Sequence, residues 1–208
     1  MLSKNITIRK EKKEDFHEVE NLVRESFWNV YRPGCYEHYL LNQLRNDQDF
    51  VEDLDLVIVL DDKIIGQIVF MKSLIKTDGG KDLPVMTIGP ISIGRDYQRQ
   101  GYGKLLLEYA LDEARKLGCG AVCLEGNIDF YGKAGFVQAK HYGLRYHGLP
   151  ENEDSSFFLC KELVEGYLNH VSGEYFTPQG YFIDENKVDD FDQQFSHKEK
   201  LKLPGQLF

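Results

Sequence analysis

Ile88-Gly89-Pro90-Ile91-Ser92-Ile93-Gly94-Arg95-Asp96-Tyr97-Gln98-Arg99-Gln100-Gly101-Tyr102-Gly103-Lys104 is the stretch on which the reading of this chain turns. Its first part belongs to an apolar run over 84–94 that reads as a strand, interrupted at Gly89-Pro90. Proline cannot donate to a sheet ladder, so the strand is expected to bulge or split there. A helix is expected from Gly101 to Leu117, with Leu106, Ala110, Ala114 and Leu117 on one face and Gly118 as its stop. Between strand and helix, Gly101 and Gly103 remove side chains where a ligand must approach the backbone. The first helical turn offers amides without intrahelical partners and the positive end of the dipole, a ready seat for a pyrophosphate. Arg99 and Lys104 add positive charge beside it.

Two familiar phosphate loops fail on spacing. A Walker A loop needs Ser or Thr after its Lys, and Leu105 follows Lys104. A dinucleotide fingerprint needs a third Gly three residues after the second, where Leu106 stands. By itself the stretch reads equally well as a glycine-rich turn that only starts a helix.

Outward from it, residues 5–10 alternate as a short strand, and 13–27 and 36–46 carry apolar residues at helical spacing. Two strands, 55–60 and 63–73, flank the tight turn Asp61-Asp62. Residues 121–125, Ala-Val-Cys-Leu-Glu, form a strand of the doubly buried kind, and 128–133 fit a short helical turn. Strands are expected from Phe136 and over 156–163. Strand, helix, strand from 84 to 125 makes a parallel crossover unit. The fold class is therefore mixed α/β (α+β), with one domain over 1–163. The tail, 164–208, is expected as an extension with a hairpin at 174–183, aromatic enough to pack on or beside the domain. Its last part, 184–208, is highly charged and reads as an arm or a partly disordered segment.

The bulk numbers restrict the function classes. A chain of 208 residues with 42% hydrophobic residues folds around a proper core. The net charge of −9 argues against a nucleic-acid binder, which needs a basic face. The N-terminal MLSKNITIRK lacks the apolar core of a signal peptide, and no run approaches ~18 apolar residues, so neither export nor a membrane span is expected. Cys35, Cys119, Cys123 and Cys160 form no C-x-x-C pair, and reduced thiols in a cytoplasmic protein are expected, with no metal.

About twenty-five residues beyond the loop stands Gly126-Asn127-Ile128-Asp129-Phe130-Tyr131-Gly132-Lys133-Ala134-Gly135-Phe136. Together with Gln-x-x-Gly-x-Gly at 98–103, it resembles the GNAT superfamily of N-acetyltransferases, in which a Gln-x-x-Gly-x-Gly loop takes the acetyl-CoA pyrophosphate and an aromatic-Tyr-x-x-x-Gly-Phe segment follows the fifth strand. Ile88-Gly89-Pro90-Ile91 is similar to a Leu-Gly-Pro-Leu strand of one bacterial branch, and the opening Ile8-Arg9 with Glu14-Asp15-Phe16 resembles the family's start. The resemblance covers about 5–163. Asn127-Ile128 stand where that branch has Asp-Pro, and Phe130 where it has a first Tyr; neither change removes the phenol of Tyr131.

The resemblance implies a mixed sheet flanked by helices, with a central parallel pair, 84–94 and 121–125, that splays so that pantetheine meets strand backbone at Ile91 and Ile93. It implies acetyl-CoA as acyl-donor substrate, with Arg99, Gln100, Gly101, Tyr102, Gly103, Lys104 and Asn127 as donor contacts. It implies direct attack by the primary amine of a small molecule or peptide in a ternary complex, with Tyr131 as the acid for the leaving thiolate and Glu125 as the base. Acceptor contacts are expected from the 27–37 loop (Trp28, Tyr31, Arg32) and from 141–155 (Arg145, Tyr146, His147). A homodimer is one arrangement it allows. A competing reading is a non-catalytic acetyl-CoA or CoA-binding sensor or regulatory module; the presence of Tyr131 favours the enzyme.

Overall fold

The computed structural model describes residues 5–150 and 152–207. The ends of the two expected segments, residues 1–4 and 208, and Glu151 in the expected acceptor segment lie outside the described residues. The strands are β1 (Ile6–Lys10), β2 (Leu56–Leu60), β3 (Lys63–Thr77), β4 (Asp82–Ile93), β5 (Ala121–Glu125), β6 (Val137–Gln138), β7 (Leu144–Tyr146), β8 (Phe158–Glu162) and β9 (Gly173–Phe176). The helices are α1 (Phe16–Phe27), α2 (Glu37–Leu44), α3 (Tyr102–Lys116), α4 (Ile128–Tyr131) and α5 (Glu185–Asp192). Hydrogen bonding orders the main strands β1-β2-β3-β4-β5-β8-β6, with β9 paired to β3 and to β7. The sheet is mixed: β4 and β5 are parallel, as are β7 and β9, whereas β1–β2, β2–β3, β3–β9, β5–β8 and β6–β8 are antiparallel. Among the described residues no helix is long and apolar enough to cross a membrane.

The chain divides into two compact units. The first comprises the described residues of Met1–Val69, Gly89–Leu106 and Gly180–Phe208. In it β2 is buried along its whole length, flanked by β1 in the register Ile8 to Ile58 and by β3. The β2–β3 turn puts Asp61 and Asp62 both at positive φ, 48° and 66°, the twist that a two-residue hairpin demands. α1 turns Val19 and Val23 inward, and α2 contributes Leu41 and Leu44, each fully buried. Beside them Arg45 lies between two carboxylates, reaching Glu11 at 2.7 and 3.2 Å and Glu20 at 2.5 Å. Burial and the nearby Asp55 push the Glu11 carboxyl up to about 9.

The charged segment expected as an arm contains α5 instead. Asp184 caps it by accepting from the Asn186 N–H. Its Asp192 holds the fully buried Arg24 of α1 at 2.5 and 3.0 Å, and the guanidinium also lies 4.2 Å over the Trp28 ring. Only Val188 of this helix is buried; the charges that hid it occupy its exposed faces.

The second unit comprises Phe70–Ile88 and Leu107–Gln179. Residues 121–124 of β5 are buried, between β4 on one side and β8 on the other. The parallel pairing sets Met86 opposite Val122 and Thr87 opposite Cys123, and its last pair falls two residues before Gly89. β4 itself runs through Gly89-Pro90 without the split that was one of the two outcomes expected there. The Pro90 carbonyl is satisfied by a side chain, Gln67 Nε2 at 2.9 Å, rather than by a ladder partner. A side chain at Gly89 would meet Val69 Cγ1 at 2.7 Å, so glycine is needed there for close packing.

α3 stops as its sequence suggests. Gly118 takes φ +87°, its N–H donates to the Arg115 carbonyl, and the Cys119 N–H donates to that of Ala114. Leu117, expected on the apolar face, lies past the helix end and is 48% exposed. The expected hairpin at 174–183 does not form. β9 takes β3 and β7 as partners, and Pro178, which has no N–H to return to a ladder, leads into a short 3-10 turn, Gln179–Tyr181. The four cysteines are free and buried.

Candidate functional site

In the first unit, β4 ends at Ile93 and a 3-10 turn, Arg95–Tyr97, leads into the glycine loop. Two glutamine side chains brace that loop. Gln98 Nε2 donates to the Ile93 carbonyl at 2.9 Å, and Gln100 Nε2 to that of Asp96 at 2.8 Å. Arg99 adopts φ 58° and Gly101 φ 92°, so the chain passes twice through the left-handed region within three residues. The Leu105 N–H donates to the Gly101 carbonyl at 3.0 Å. The amides of Tyr102 and Gly103 precede that bond, in the first turn, where a helix directs its N–H groups outward along its axis.

Around this helix start, Arg99, Gln100, Gly101 and Lys104 are exposed. A Cβ built on Gly101 would meet nothing within 4 Å, so the space over the loop is open. Such a cradle suits a doubly charged phosphate pair: aligned amides, the dipole, two cations and no side chain in the way. Tyr102 is itself buried, edge-on to Tyr97 at 6.4 Å, which leaves its backbone as the part facing a ligand. Among the backbone groups expected to meet pantetheine, the Ile93 carbonyl is already engaged by Gln98 Nε2 and by Ser26 Oγ at 3.2 Å. Gln98 was not among the residues expected at the site; its place as first member of the Gln-x-x-Gly-x-Gly pattern was the available signal.

In the second unit, β5 leads into α4. Asn127 is the N-cap, its Oδ1 accepting from the Asp129 N–H at 2.8 Å. Tyr131 ends that short helix and is 9% exposed, edge-on to Phe130 at 4.8 Å and to Phe136 at 5.6 Å. A side chain at Gly126 would stand 2.4 Å from Tyr131 Cε2, so this glycine makes room for the ring. Phe136, whose ring packs on Tyr131, follows Gly135, which takes φ +87°.

Glu125 closes β5 as its only exposed residue, opposite Phe158 of β8. Its Oε1 accepts from Tyr146 Oη at 2.6 Å, and that same phenol lies 2.7 Å from Thr177 Oγ1. Burial, followed by the hydrogen bond to Glu125, pushes the Tyr146 phenol up to about 12. It therefore keeps its proton at neutral pH and donates it to the carboxylate. Tyr146 ranked only as an acceptor-lining candidate in the sequence, and Thr177 as none. Their meeting depends on the register of two very short strands, Tyr146 opposite Tyr175, which carry no usable periodicity.

The other expected acceptor residues have defined places. Trp28 is buried, its Nε1 donating to the Glu199 carbonyl at 3.0 Å, so it packs rather than lines a surface. Tyr31 is exposed, and Arg32 lies 3.9 Å over the Tyr36 ring. Arg145 pairs with Asp78 at 2.5 Å, and His147 stacks on Phe176 at 3.8 Å while meeting Glu174 at 2.8 Å.

Comparison with known proteins identifies the family. Residues 16–136 match the model of the acetyltransferase (GNAT) family. The chain is 30% identical over 156 residues to YhbS of Escherichia coli strain K12, described as an uncharacterized N-acetyltransferase; the match spans 74% of this chain and 86% of the relative. The crystal structure of Escherichia coli YhbS in complex with CoA superposes with a TM-score of 0.73 at 26% identity, covering 86% of this chain and 93% of that one. A GNAT acetyltransferase from Brucella melitensis, in complex with acetyl-CoA, shares the fold at a TM-score of 0.66 and 22% identity, over 86% of this chain and 99% of that one. The chain belongs to the acetyltransferase (GNAT) family.

Proposed function

We propose that this chain transfers an acetyl group from acetyl-CoA to the primary amine of a small molecule or peptide, by direct attack in a ternary complex. The observation that carries the reading is the open, glycine-based cradle at the start of α3, with Arg99 and Gly101 both at positive φ. Family membership and the CoA and acetyl-CoA complexes of the two similar structures support the same donor.

In this reading Gln100, Gly101, Tyr102, Gly103 and Lys104 hold the pyrophosphate by backbone amides, and Arg99 and Lys104 neutralise it. Ile91 and Ile93 meet pantetheine through backbone. Because the Ile93 carbonyl is taken, that residue contributes its N–H. Asn127 contributes through Nδ2, its Oδ1 being the α4 cap.

An alkylammonium has a pKa near ~10.4, so the acceptor must first lose a proton. Glu125 takes it, directly or through a water. The amine lone pair then forms a bond to the thioester carbonyl carbon, polarised by the backbone N–H of Ile91. The C–S bond breaks with its electrons on sulfur, and the nitrogen's second proton passes to solvent water, from which the Tyr131 phenol regains the proton it gives to the thiolate. A thiol pKa near ~8.5 makes protonation of the departing CoA thiolate favourable at neutral pH, and Tyr131 supplies that proton.

A panel of primary amines, incubated with acetyl-CoA and followed by free thiol and product mass, tests the function. An N-acetyl product formed in step with CoA release is expected for at least one amine. Donor binding with no product from any small-molecule or peptide amine would overturn the transferase reading.

A further inference from the structure

We infer that Tyr146 and Thr177 are positioning residues that hold the Glu125 carboxylate in place as the base, so that the C-terminal segment beyond the family match completes the catalytic apparatus. The inference rests on the reading of Glu125 as base given above. Both residues lie outside 16–136, the part that matches the family model. Three polar atoms form a chain: Thr177 Oγ1, then Tyr146 Oη at 2.7 Å, then Glu125 Oε1 at 2.6 Å. A phenol has one proton, and Tyr146 spends it on the carboxylate. The Thr177 hydroxyl must therefore be the donor in the other bond. The chain is thus directional and ends on one oxygen of Glu125, leaving Oε2 for the acceptor or its water.

The phenol cannot swing away. Its ring is packed edge-on against Phe157 at 5.4 Å and Phe158 at 5.5 Å, with Tyr175 at 5.9 Å. Thr177 follows directly on β9, whose pairing with β3 and β7 sets Tyr175 opposite both Ile75 and Tyr146. Tyr175 is buried, and the Glu125 charge adds to the burial that pushes its phenol up. A carboxylate at a strand end is free to sample rotamers in water. Here a half-buried phenol held among three rings restricts that freedom, which is how a base stays within reach of a proton it must take.

The test is a mutant cycle assayed with acetyl-CoA and the fastest amine of the panel. Tyr146→Phe keeps the ring packing and deletes only the donor. It is expected to lower kcat by about ten- to a hundredfold with the KM for acetyl-CoA unchanged. Thr177→Val is expected to fall in the same direction by less, and Thr177→Ser to keep the parental rate. In a Glu125→Gln background, Tyr146→Phe is expected to cost nothing further, because it acts only through the carboxylate. If Tyr146→Phe keeps the parental kcat, or if the double variant loses the product of the two single losses, the positioning role is wrong while the base remains. If Glu125→Gln alone turns over at the parental rate, the base reading has failed and this inference with it.

Discussion

Gly126→Ala is expected to cripple turnover without unfolding the protein. An added Cβ would stand 2.4 Å from Tyr131 Cε2, 2.8 Å from its Cδ2 and 2.9 Å from Leu124 Cδ1, where ordinary contact begins at 3.4 Å. Something must yield by about 1 Å. Leu124 is buried in the middle of the sheet and Tyr131 sits at the end of a single helical turn, so the tyrosine is the part that moves. Overpacking of this kind costs about 1–3 kcal/mol of stability, which leaves most of the protein folded at room temperature. For catalysis the same displacement is larger in effect, because a 1 Å misplacement of a reacting group costs about 10²-fold in rate. The assay is steady-state CoA release with a productive amine, together with calorimetric affinity for CoA and circular dichroism. A loss of about 10²-fold in kcat with CoA affinity kept within a few-fold is the expected result, comparable to Tyr131→Phe. A folded Gly126→Ala variant with parental kcat, under conditions where chemistry limits the rate, would refute the role given to Tyr131.

Asp192→Ala leaves the guanidinium of Arg24 buried without its bidentate partner, and urea unfolding should show a loss of about 3–5 kcal/mol; a loss below about 1 kcal/mol would contradict the clamp. Burial holds the His38 imidazole down to about 4, against ~6.5 in the unfolded chain, with Asp192, Arg24 and Cys35 as its polar neighbours. Between those values the unfolded chain binds the extra proton, so stability present at neutral pH should fall as pH drops from about 6.5 towards 4, by up to about 3 kcal/mol; a parent and a His38→Gln variant with equal acid sensitivity would contradict it. Glu11 carries the opposite sign: its raised value means that the stability it contributes at acid pH is lost as pH rises towards about 9, and Glu11→Gln should flatten that alkaline slope in denaturant titrations.

The legible parts of this molecule were those whose signal is local. The β2–β3 hairpin announced itself by Asp61-Asp62 between apolar runs, α3 by its apolar face and Gly118, and β5 by an unbroken apolar run. The glycine loop was legible for the same reason, since its backbone geometry is written in Gly101. What escaped was set by partners distant in the chain. β7 and β9 are three and four residues long, and nothing within them says that Tyr146 will stand opposite Tyr175. α5 has one buried residue among eight, so its hydrophobic pattern is nearly silent; its anchor, Arg24, lies 168 positions away in sequence. At Gly89-Pro90 a bulge or a split was expected; pairing with β5 has ended by Thr87 but the strand does not split, and the side chain of Gln67 satisfies the Pro90 carbonyl.

The central claim is that the loop at 98–104 seats the acyl donor, and calorimetric titration of acetyl-CoA into parent, Gly101→Ala and Gly101→Glu proteins tests it most directly. Both substitutions impose the same strain at φ +92°, but only glutamate sends bulk and negative charge into the open space over the helix start. The account predicts saturable binding by the parent, a reduced affinity for the alanine variant, and none measurable for the glutamate variant while it remains folded. A folded Gly101→Glu protein that binds acetyl-CoA as tightly as the parent would contradict it.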